Sequence, residues 1–136
     1  MSSEKRYIFD SHALLKFFQK EKGYEKVLNL LKTIKKHSLA KYINAINFGE
    51  IIYITKREFG DQKKIEVLAH IERLQFTILP VPNSLIFQAS EYKAEYPISY
   101  ADCFVLASAL EYDATIVTGD PDFKKVEHLA KIVWLQ

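Results

Sequence analysis

The chain has 136 residues, of which 49% are hydrophobic and 26% are charged, so residues 1–136 are expected to form one domain with a sizeable core. Its uncharged apolar runs are far shorter than the roughly 20 residues of a membrane span, and no secretory signal precedes the first predicted strand, so a cytoplasmic protein without a membrane partner is expected. The net charge of +2 argues against wrapping of nucleic acid by bulk electrostatics, and the single cysteine, Cys103, excludes an internal disulfide and a cysteine-based zinc site.

The charges are unevenly distributed along the chain. Residues 1–68 contain 14 basic and 8 acidic residues, whereas residues 69–136 contain 5 basic and 9 acidic ones. A solvated, lysine-rich helical surface accounts for most of the basic residues, and a few of them are candidates for lining a path for phosphates.

Short apolar strands and helices alternate along the chain. In the first half, a strand is predicted at residues 6–9, helices at 13–18 and 24–34, a strand at 42–46, and helices from about residue 47 and at 63–74. In the second half, a strand at 77–81 precedes helices at 84–95 and 100–112, and strands follow at 115–118 and 132–135. Gly23 separates the first two helices, and Pro97 ends the fifth because proline disfavours helical geometry in the residue before it. Phe59 is a candidate core residue of the helix that begins near residue 47.

Acidic residues follow several of the predicted strands. The alternation of strands and helices predicts an α/β protein, specifically a three-layer α/β/α domain with a central parallel sheet of about five strands. In such sheets the functional groups collect at the carboxyl ends of the strands. Asp10 and Asp120 come directly off strand ends, and Glu50 lies a few residues past another. Asp102 begins a helix that precedes a strand, so the pattern does not place it at that edge.

Each of these four acids also has a structural explanation. Asp102 completes a Ser-x-x-Asp sequence typical of a capping box, and Asp120 precedes a proline as a helix N-cap does. Asp10 is a candidate cap of the following helix, and Glu50 would offset the partial positive charge of a helix start. Taken singly, each acid is better explained by capping. If all four converge, however, their repulsion requires a compensating cation.

Four converging carboxylates would form a divalent-metal site. Ligand sets made only of oxygen favour hard ions, so Mg²⁺ or Mn²⁺ is the expected cofactor. Such an ion generates a hydroxide nucleophile, orients a phosphate and stabilises the leaving oxygen. The expected reaction is therefore hydrolysis of a phosphodiester without a covalent intermediate, with Asp10, Glu50, Asp102 and Asp120 as candidate metal ligands and catalytic residues.

Three parts of the chain carry a resemblance to a known family. They are residues 7–15 (YIFDSHALL), residues 43–50 (INAINFGE), and residues 98–102 (ISYAD) together with 118–123 (TGDPDF). With them the chain resembles the PIN domain family, and within it the small single-domain VapC-type toxin ribonucleases. The resemblance implies that Asp10 and Asp102 bind Mg²⁺ or Mn²⁺ directly, with Glu50 and Asp120 completing the pocket directly or through water. It also implies endonucleolytic cleavage of RNA, a small antitoxin partner and a homodimer.

Some residues depart from the family pattern or offer alternatives to it. Asn44 stands where relatives often carry serine, and Cys103 stands where alanine is usual. Both departures bear on substrate contacts and local packing rather than on the carboxylates, and Cys103 is expected to be a small core residue. Asp122 is an alternative to Asp120 as the fourth acid, although a place in the first turn of a helix is the favoured role for it.

Three further polar residues lie next to the acids. Ser11 and Thr118 have two open interpretations, either contact with a phosphate or with waters of the site, or plain capping and strand filling. His12 has no partner in the sequence that would make it a general base, so a structural or exposed role is expected.

Two other functions fit the same sequence. A non-catalytic RNA-binding or assembly module on this fold would explain the mild net charge and the basic first half. An aspartyl nucleophile at Asp10, acting on phosphate monoesters, fits the strand-end position, but the second residue after it is His12 rather than an acid. A toxin also needs an apolar groove for its antitoxin, and the helices at residues 13–18 and 24–34 are candidates, although such stripes more commonly bury a core.

Overall fold

Short strands and helices alternate along residues 5–135, the part of the chain that the computed structural model describes. The charged start at residues 1–4 lies outside it. In chain order the elements are β1 (Arg6–Phe9), α1 (Ser11–Phe18), α2 (Tyr24–Lys36), β2 (Ala40–Asn44), α3 (Ala45–Phe59), α4 (Asp61–Arg73), β3 (Thr77–Leu79), α5 (Asn83–Glu95), α6 (Tyr100–Tyr112), β4 (Thr115–Thr118), a 3₁₀ helix (Pro121–Val126) and β5 (Ile132–Trp134). Within residues 5–135, no helix combines the length and apolarity that crossing a membrane requires.

The five strands form one parallel sheet in the order β3-β2-β1-β4-β5. Strand β1 is central, and its residues Ile8 and Phe9 are fully buried. Uninterrupted apolar sequence is typical of strands that are covered on both faces. Helices do cover both faces, so the predicted three-layer α/β/α architecture with a five-stranded parallel sheet is confirmed.

Alternate residues of the central strands pack on opposite sides of the sheet. Ile8 and Ile116 belong to the core that includes residues of α5 and α6, whereas Phe9 and Val117 belong to the core that includes residues of α1 to α4. Helix α6 is buried on nearly all sides, because every residue from 102 to 109 is buried. The sheet therefore sits between two apolar layers, one on each face.

The strand order creates a crevice at β1. From β1 the chain builds β2 and β3 on one side and then places β4 on the other side. Ligand sites in open parallel sheets form where the chain direction switches in this way, outside the carboxyl ends of the strands. Asp10 directly follows β1, and Gly119 and Asp120 directly follow β4.

The structure corrects several details of the prediction, among them the end of β3, which lies at Leu79 rather than at residue 81. Strand β2 ends at Asn44 rather than at residue 46, because the Asn44 side chain accepts a hydrogen bond from the Ile46 N–H at 2.8 Å and caps α3. The prediction of Phe59 as a core residue is wrong, since 52% of it is exposed. The predicted break at Gly23 is confirmed, and Gly23 has a φ of +98°, a left-handed conformation that glycine tolerates.

Candidate metal centre

Asp10 is both a helix cap and a buried carboxylate at the crevice. The Ala13 N–H donates to its Oδ1 at 2.7 Å, and the Thr118 hydroxyl donates to its Oδ2 at 2.5 Å. The first contact makes Asp10 the N-cap of α1, and the second joins the ends of β1 and β4. Asp10 is only 2% exposed. The capping role and the site role, which the sequence leaves open, are therefore compatible in one side chain.

Asp102 reaches the same edge of the sheet through the direction of α6. The helix ends at Tyr112, shortly before β4 begins, so it runs against the strands and its first turn lies near their carboxyl ends. Ser99 caps the helix by accepting from the Asp102 N–H at 3.1 Å. The sequence pattern alone does not place Asp102 at this edge. Its location follows because α6 runs antiparallel to the strands of the sheet.

Glu50 is held by Ser11, and Ser11 belongs to hydrogen bonds that join the starts of three helices. The Ser11 hydroxyl donates to Glu50 Oε1 at 2.9 Å. The Ser11 N–H donates to Asn47 Oδ1 at 2.9 Å, and Asn47 Nδ2 donates to the Ala101 carbonyl at 3.3 Å. Asn47 therefore links α1, α3 and α6. Asn47 was not predicted from the sequence. It lies three positions before Glu50 on an otherwise apolar helix face, and a buried polar residue there needs hydrogen-bond partners, which was a signal for such a role.

Asp120 and Asp122 lie at the start of the 3₁₀ helix. The Asp120 N–H donates to Thr118 Oγ1 at 3.0 Å, and the Asp122 N–H donates to Asp120 Oδ1 at 2.9 Å. One carboxylate oxygen from each of Asp102, Asp120 and Asp122 lies within 4.8 Å of the others. Asp122 thus occupies the first turn, as expected, and also belongs to this acidic group, which the sequence left undecided.

Lys125 distinguishes Asp122 from the other acids. Its amine lies 3.2 Å from Asp122 Oδ1 and donates to the Pro97 carbonyl at 3.2 Å. Across residues 5–135, no lysine, arginine or histidine nitrogen lies within 4.0 Å of the other four carboxylates, those of Asp10, Glu50, Asp102 and Asp120. We call these four residues the acidic site.

The electrostatics of the acidic site favour binding of a cation. Burial raises the pKa of Asp10 to about 7, against the hydrogen bonds from Thr118 and Ala13, and the charges of Asp120 and Glu50 raise it further. Burial is also the largest cause that raises the pKa of Asp102 to about 7, followed by the charges of Asp10 and Asp120. The charges of Glu50 and Asp120 therefore lie close enough to disfavour the ionised forms of Asp10 and Asp102.

The residues of the acidic site fit a hard divalent cation. All of its donors are carboxylate oxygens, which suit Mg²⁺ and Mn²⁺, and no sulfur or imidazole ligand belongs to it. Asn44 and Cys103 have structural roles instead: Asn44 is buried and donates to Ser108 Oγ at 2.7 Å, and Cys103 is a fully buried core residue, as predicted.

Comparisons with known proteins agree with this architecture. Residues 7–129 match the family model of the PIN domain. DNA-bound VapBC from Salmonella typhimurium has a similar fold, with 14% identity, coverage of 97% of this chain and 99% of that chain, and a TM-score of 0.76. A toxin-antitoxin complex from Klebsiella pneumoniae is 17% identical, with coverage of 96% and 98% and a TM-score of 0.69. VapC20 from Mycobacterium tuberculosis, described as a toxin that cleaves the sarcin-ricin loop, is 14% identical, with coverage of 88% and 94% and a TM-score of 0.71. No curated protein sequence matches the chain.

Proposed function

This chain belongs to the PIN domain family, and we propose that it is a metal-dependent endoribonuclease that hydrolyses RNA phosphodiesters at the acidic site. The observation that carries the proposal is the convergence of four carboxylates, without a basic partner within residues 5–135, at the switch point of a parallel sheet. RNA is the proposed substrate because VapC20, which is described as cleaving the sarcin-ricin loop, shares the fold.

The proposed roles divide the acidic site into two pairs. Asp10 and Asp102 would hold Mg²⁺ or Mn²⁺ directly, and Glu50 and Asp120 would complete the pocket directly or through water. Such an ion, when bound, would activate a water at neutral pH and neutralise charge on the phosphate. The chain's own contribution is orientation, because Thr118 fixes the Asp10 carboxylate through its hydroxyl.

An aspartyl nucleophile at Asp10 has weaker support. Both of its oxygens already accept hydrogen bonds, from Ala13 N–H and from the Thr118 hydroxyl, and the side chain is 2% exposed. A carboxylate engaged in this way is a poorer attacking group than a metal-activated water.

Removal of the metal tests the proposed function. Purified protein is incubated with single-stranded RNA that is labelled at its 5′ end. Shorter labelled fragments are expected in Mg²⁺ or Mn²⁺, and none in EDTA. Restoring excess Mg²⁺ should restore cleavage, because the carboxylates themselves remain intact. RNA binding that is equally tight with and without EDTA, with no cleavage in either, would instead identify a non-catalytic RNA-binding module.

The antitoxin proposal is supported by a groove of mixed character. A pocket of about 340 Å³ is lined by four apolar residues, Phe18, Ile65, Val67 and Ala69, and by the polar residues Lys63, Glu66, His70 and Arg73. Ile65 is 57% exposed. We call this surface the partner groove. Burial lowers the pKa of His70 in the groove, and the charges of Arg73 and Lys63 lower it further.

The partner groove suits an amphipathic segment that carries acidic residues beside its apolar anchors. It differs from the expected surface, because Phe17 and Val27 of α1 and α2 are buried in the core and only Phe18 of that stretch lines the pocket. A toxin-antitoxin complex with this fold supports a small protein as the occupant.

A matched pair of charge substitutions tests the partner groove. The product of a short reading frame adjacent to this gene, co-expressed with the chain, is expected to co-purify with wild type and to be lost with Ile65→Glu, which places a carboxylate among apolar anchors. Leu110→Glu introduces the same charge at a residue of α6 that is 40% exposed, and should retain the partner. Equal retention by both variants would show that the partner binds elsewhere.

Two further parts of the proposal concern assembly and location. A homodimer would bury the exposed Phe87, which is 76% exposed on α5, on the face of the sheet opposite the partner groove. A cytoplasmic location agrees with an RNA substrate and with a buried, unpaired thiol at Cys103.

A further inference from the structure

A second pocket adjoins the acidic site on the side of β5. It has a volume of about 270 Å³ and is lined by Gly119, Pro121, Lys124 and Trp134. Gly119 follows the end of β4, and Trp134 is the last residue of β5, so the pocket opens at the carboxyl edge of the sheet. Asp120 lies in the chain between two of the lining residues. We call this cavity the base pocket.

The base pocket combines the aromatic ring of Trp134 with the amine of Lys124, which forms no salt bridge within residues 5–135. Trp134 is half-buried and Lys124 is exposed. Within residues 5–135, no carboxylate lies within 4.0 Å of the Lys124 amine, whereas that of the adjacent Lys125 is engaged by Asp122 and by the Pro97 carbonyl. Only 5 basic residues occur in the whole of residues 69–136. An unpaired lysine that follows Asp120 and Asp122 closely in the chain is therefore suited to a ligand that brings its own negative charge.

From this geometry we infer that the base pocket binds one nucleotide of a single-stranded RNA next to the phosphodiester that is cleaved. The indole of Trp134 stacks on an unpaired base, and the Lys124 amine pairs with the adjoining phosphate. The inference rests on the proposed function and names its substrate class. Stacking on an aromatic ring requires a base that is free of a duplex, and it accepts any base because every base has a π-face.

The size and position of the base pocket agree with this occupant. Its volume lies just below the roughly 300–1,000 Å³ of pockets for drug-sized ligands, which suits one base rather than a larger molecule. Gly119 and Pro121, which line the pocket, flank Asp120 in the chain, so a nucleotide bound there would lie next to the acidic site. Lys124 also offsets the repulsion that the carboxylates exert on a phosphate.

The single tryptophan makes the base pocket directly observable. Trp134 is the only one in the chain, so intrinsic tryptophan fluorescence reports on this pocket alone. Titration of the Asp10→Asn variant, which binds without cutting, with a single-stranded pentaribonucleotide in Mg²⁺ is expected to quench the fluorescence saturably. The same sequence in a duplex is expected to leave the fluorescence unchanged.

Two lysine variants in the same Asp10→Asn background separate the phosphate contact from a general charge effect. Lys124→Gln should raise the Kd about fivefold and reduce the slope of log Kd against log salt by about 0.7, the value for one phosphate contact on a single strand. Lys131→Gln removes the same charge at an exposed residue that precedes the start of β5, whereas Trp134 lies at its end. It should change neither the Kd nor the salt slope.

The outcomes distinguish the base pocket from the proposed function. Unchanged fluorescence, or equal effects of the two lysine variants, overturns the base pocket, while cleavage by wild type still supports the nuclease. Quenching by RNA without any cleavage by wild type supports the base pocket and overturns the nuclease. Quenching by a co-purified partner protein but not by RNA assigns the pocket to that partner and overturns the inference.

Discussion

Asp10→Asn and Asp102→Asn are each expected to reduce RNA cleavage at least about a hundredfold, because each removes a charged ligand of an ion that contributes several kcal/mol of stabilisation to the transition state. The same substitutions should leave the fold intact. Asparagine is as good an N-cap as aspartate, so the hydrogen bond from the Ala13 N–H can persist in Asp10→Asn. Loss of activity can then be separated from loss of structure.

Cleavage of a fluorophore–quencher RNA measures the activity of these variants, and urea unfolding measures their stability. Asp113→Asn is the matched control, since Asp113 is an exposed C-cap residue of α6 outside the acidic site. It should cleave RNA at the wild-type rate. Wild-type turnover in either Asp10→Asn or Asp102→Asn would exclude the proposed metal mechanism.

The metal-free protein is expected to lose about 2–4 kcal/mol of unfolding free energy between pH 5 and pH 8. The pKa of Asp10 and that of Asp102 both lie at about 7 in the folded chain, against a usual value of 3.8. Between those values the folded chain holds protons that the unfolded chain has released, so stability falls as pH rises. The stabilisation is fully present below pH 3.8 and is lost as pH passes through 7.

Divalent ions should reverse this trend. Mg²⁺ replaces the protons on the carboxylates, so it should stabilise the fold more at pH 8 than at pH 5.5, in proportion to its occupancy. The urea midpoint of unfolding is measured in four conditions, at pH 5.5 and at pH 8, each with EDTA and with excess Mg²⁺. Asp10→Asn in EDTA should show a smaller loss with pH than wild type, because one buried carboxyl is gone. A wild-type stability in EDTA that does not fall over this range would show that the two carboxyls are not buried together.

The sheet was largely predictable from the sequence, and particular residues show why. Strands β1 and β4 and helix α6 begin and end where the pattern predicts, because each contains a buried apolar run, at residues 7–9, 116–117 and 103–107. The end of β2 was not predictable, since it depends on whether the Asn44 side chain caps a helix or continues a strand.

The candidate site was predictable only as a set of acids. Nothing local to Thr118 indicates that its hydroxyl meets Asp10, and nothing local to Asn47 indicates that it reaches Ala101. These contacts depend on how distant segments pack. Asp122 likewise belongs to the acidic group because Asp102, which lies on another helix, comes close to it.

The hydrogen bond between Thr118 and Asp10 joins residues 108 positions apart in the chain. A ribosome that makes this protein therefore adds Thr118 at the end of β4 only 108 residues after Asp10, which follows the neighbouring strand β1. Until β4 has emerged and paired, Asp10 has no Thr118 to orient it and the acidic site is unassembled. Forms of the chain that stop before β4 therefore cannot assemble the acidic site, and RNA cleavage at that site would require synthesis to have passed Thr118.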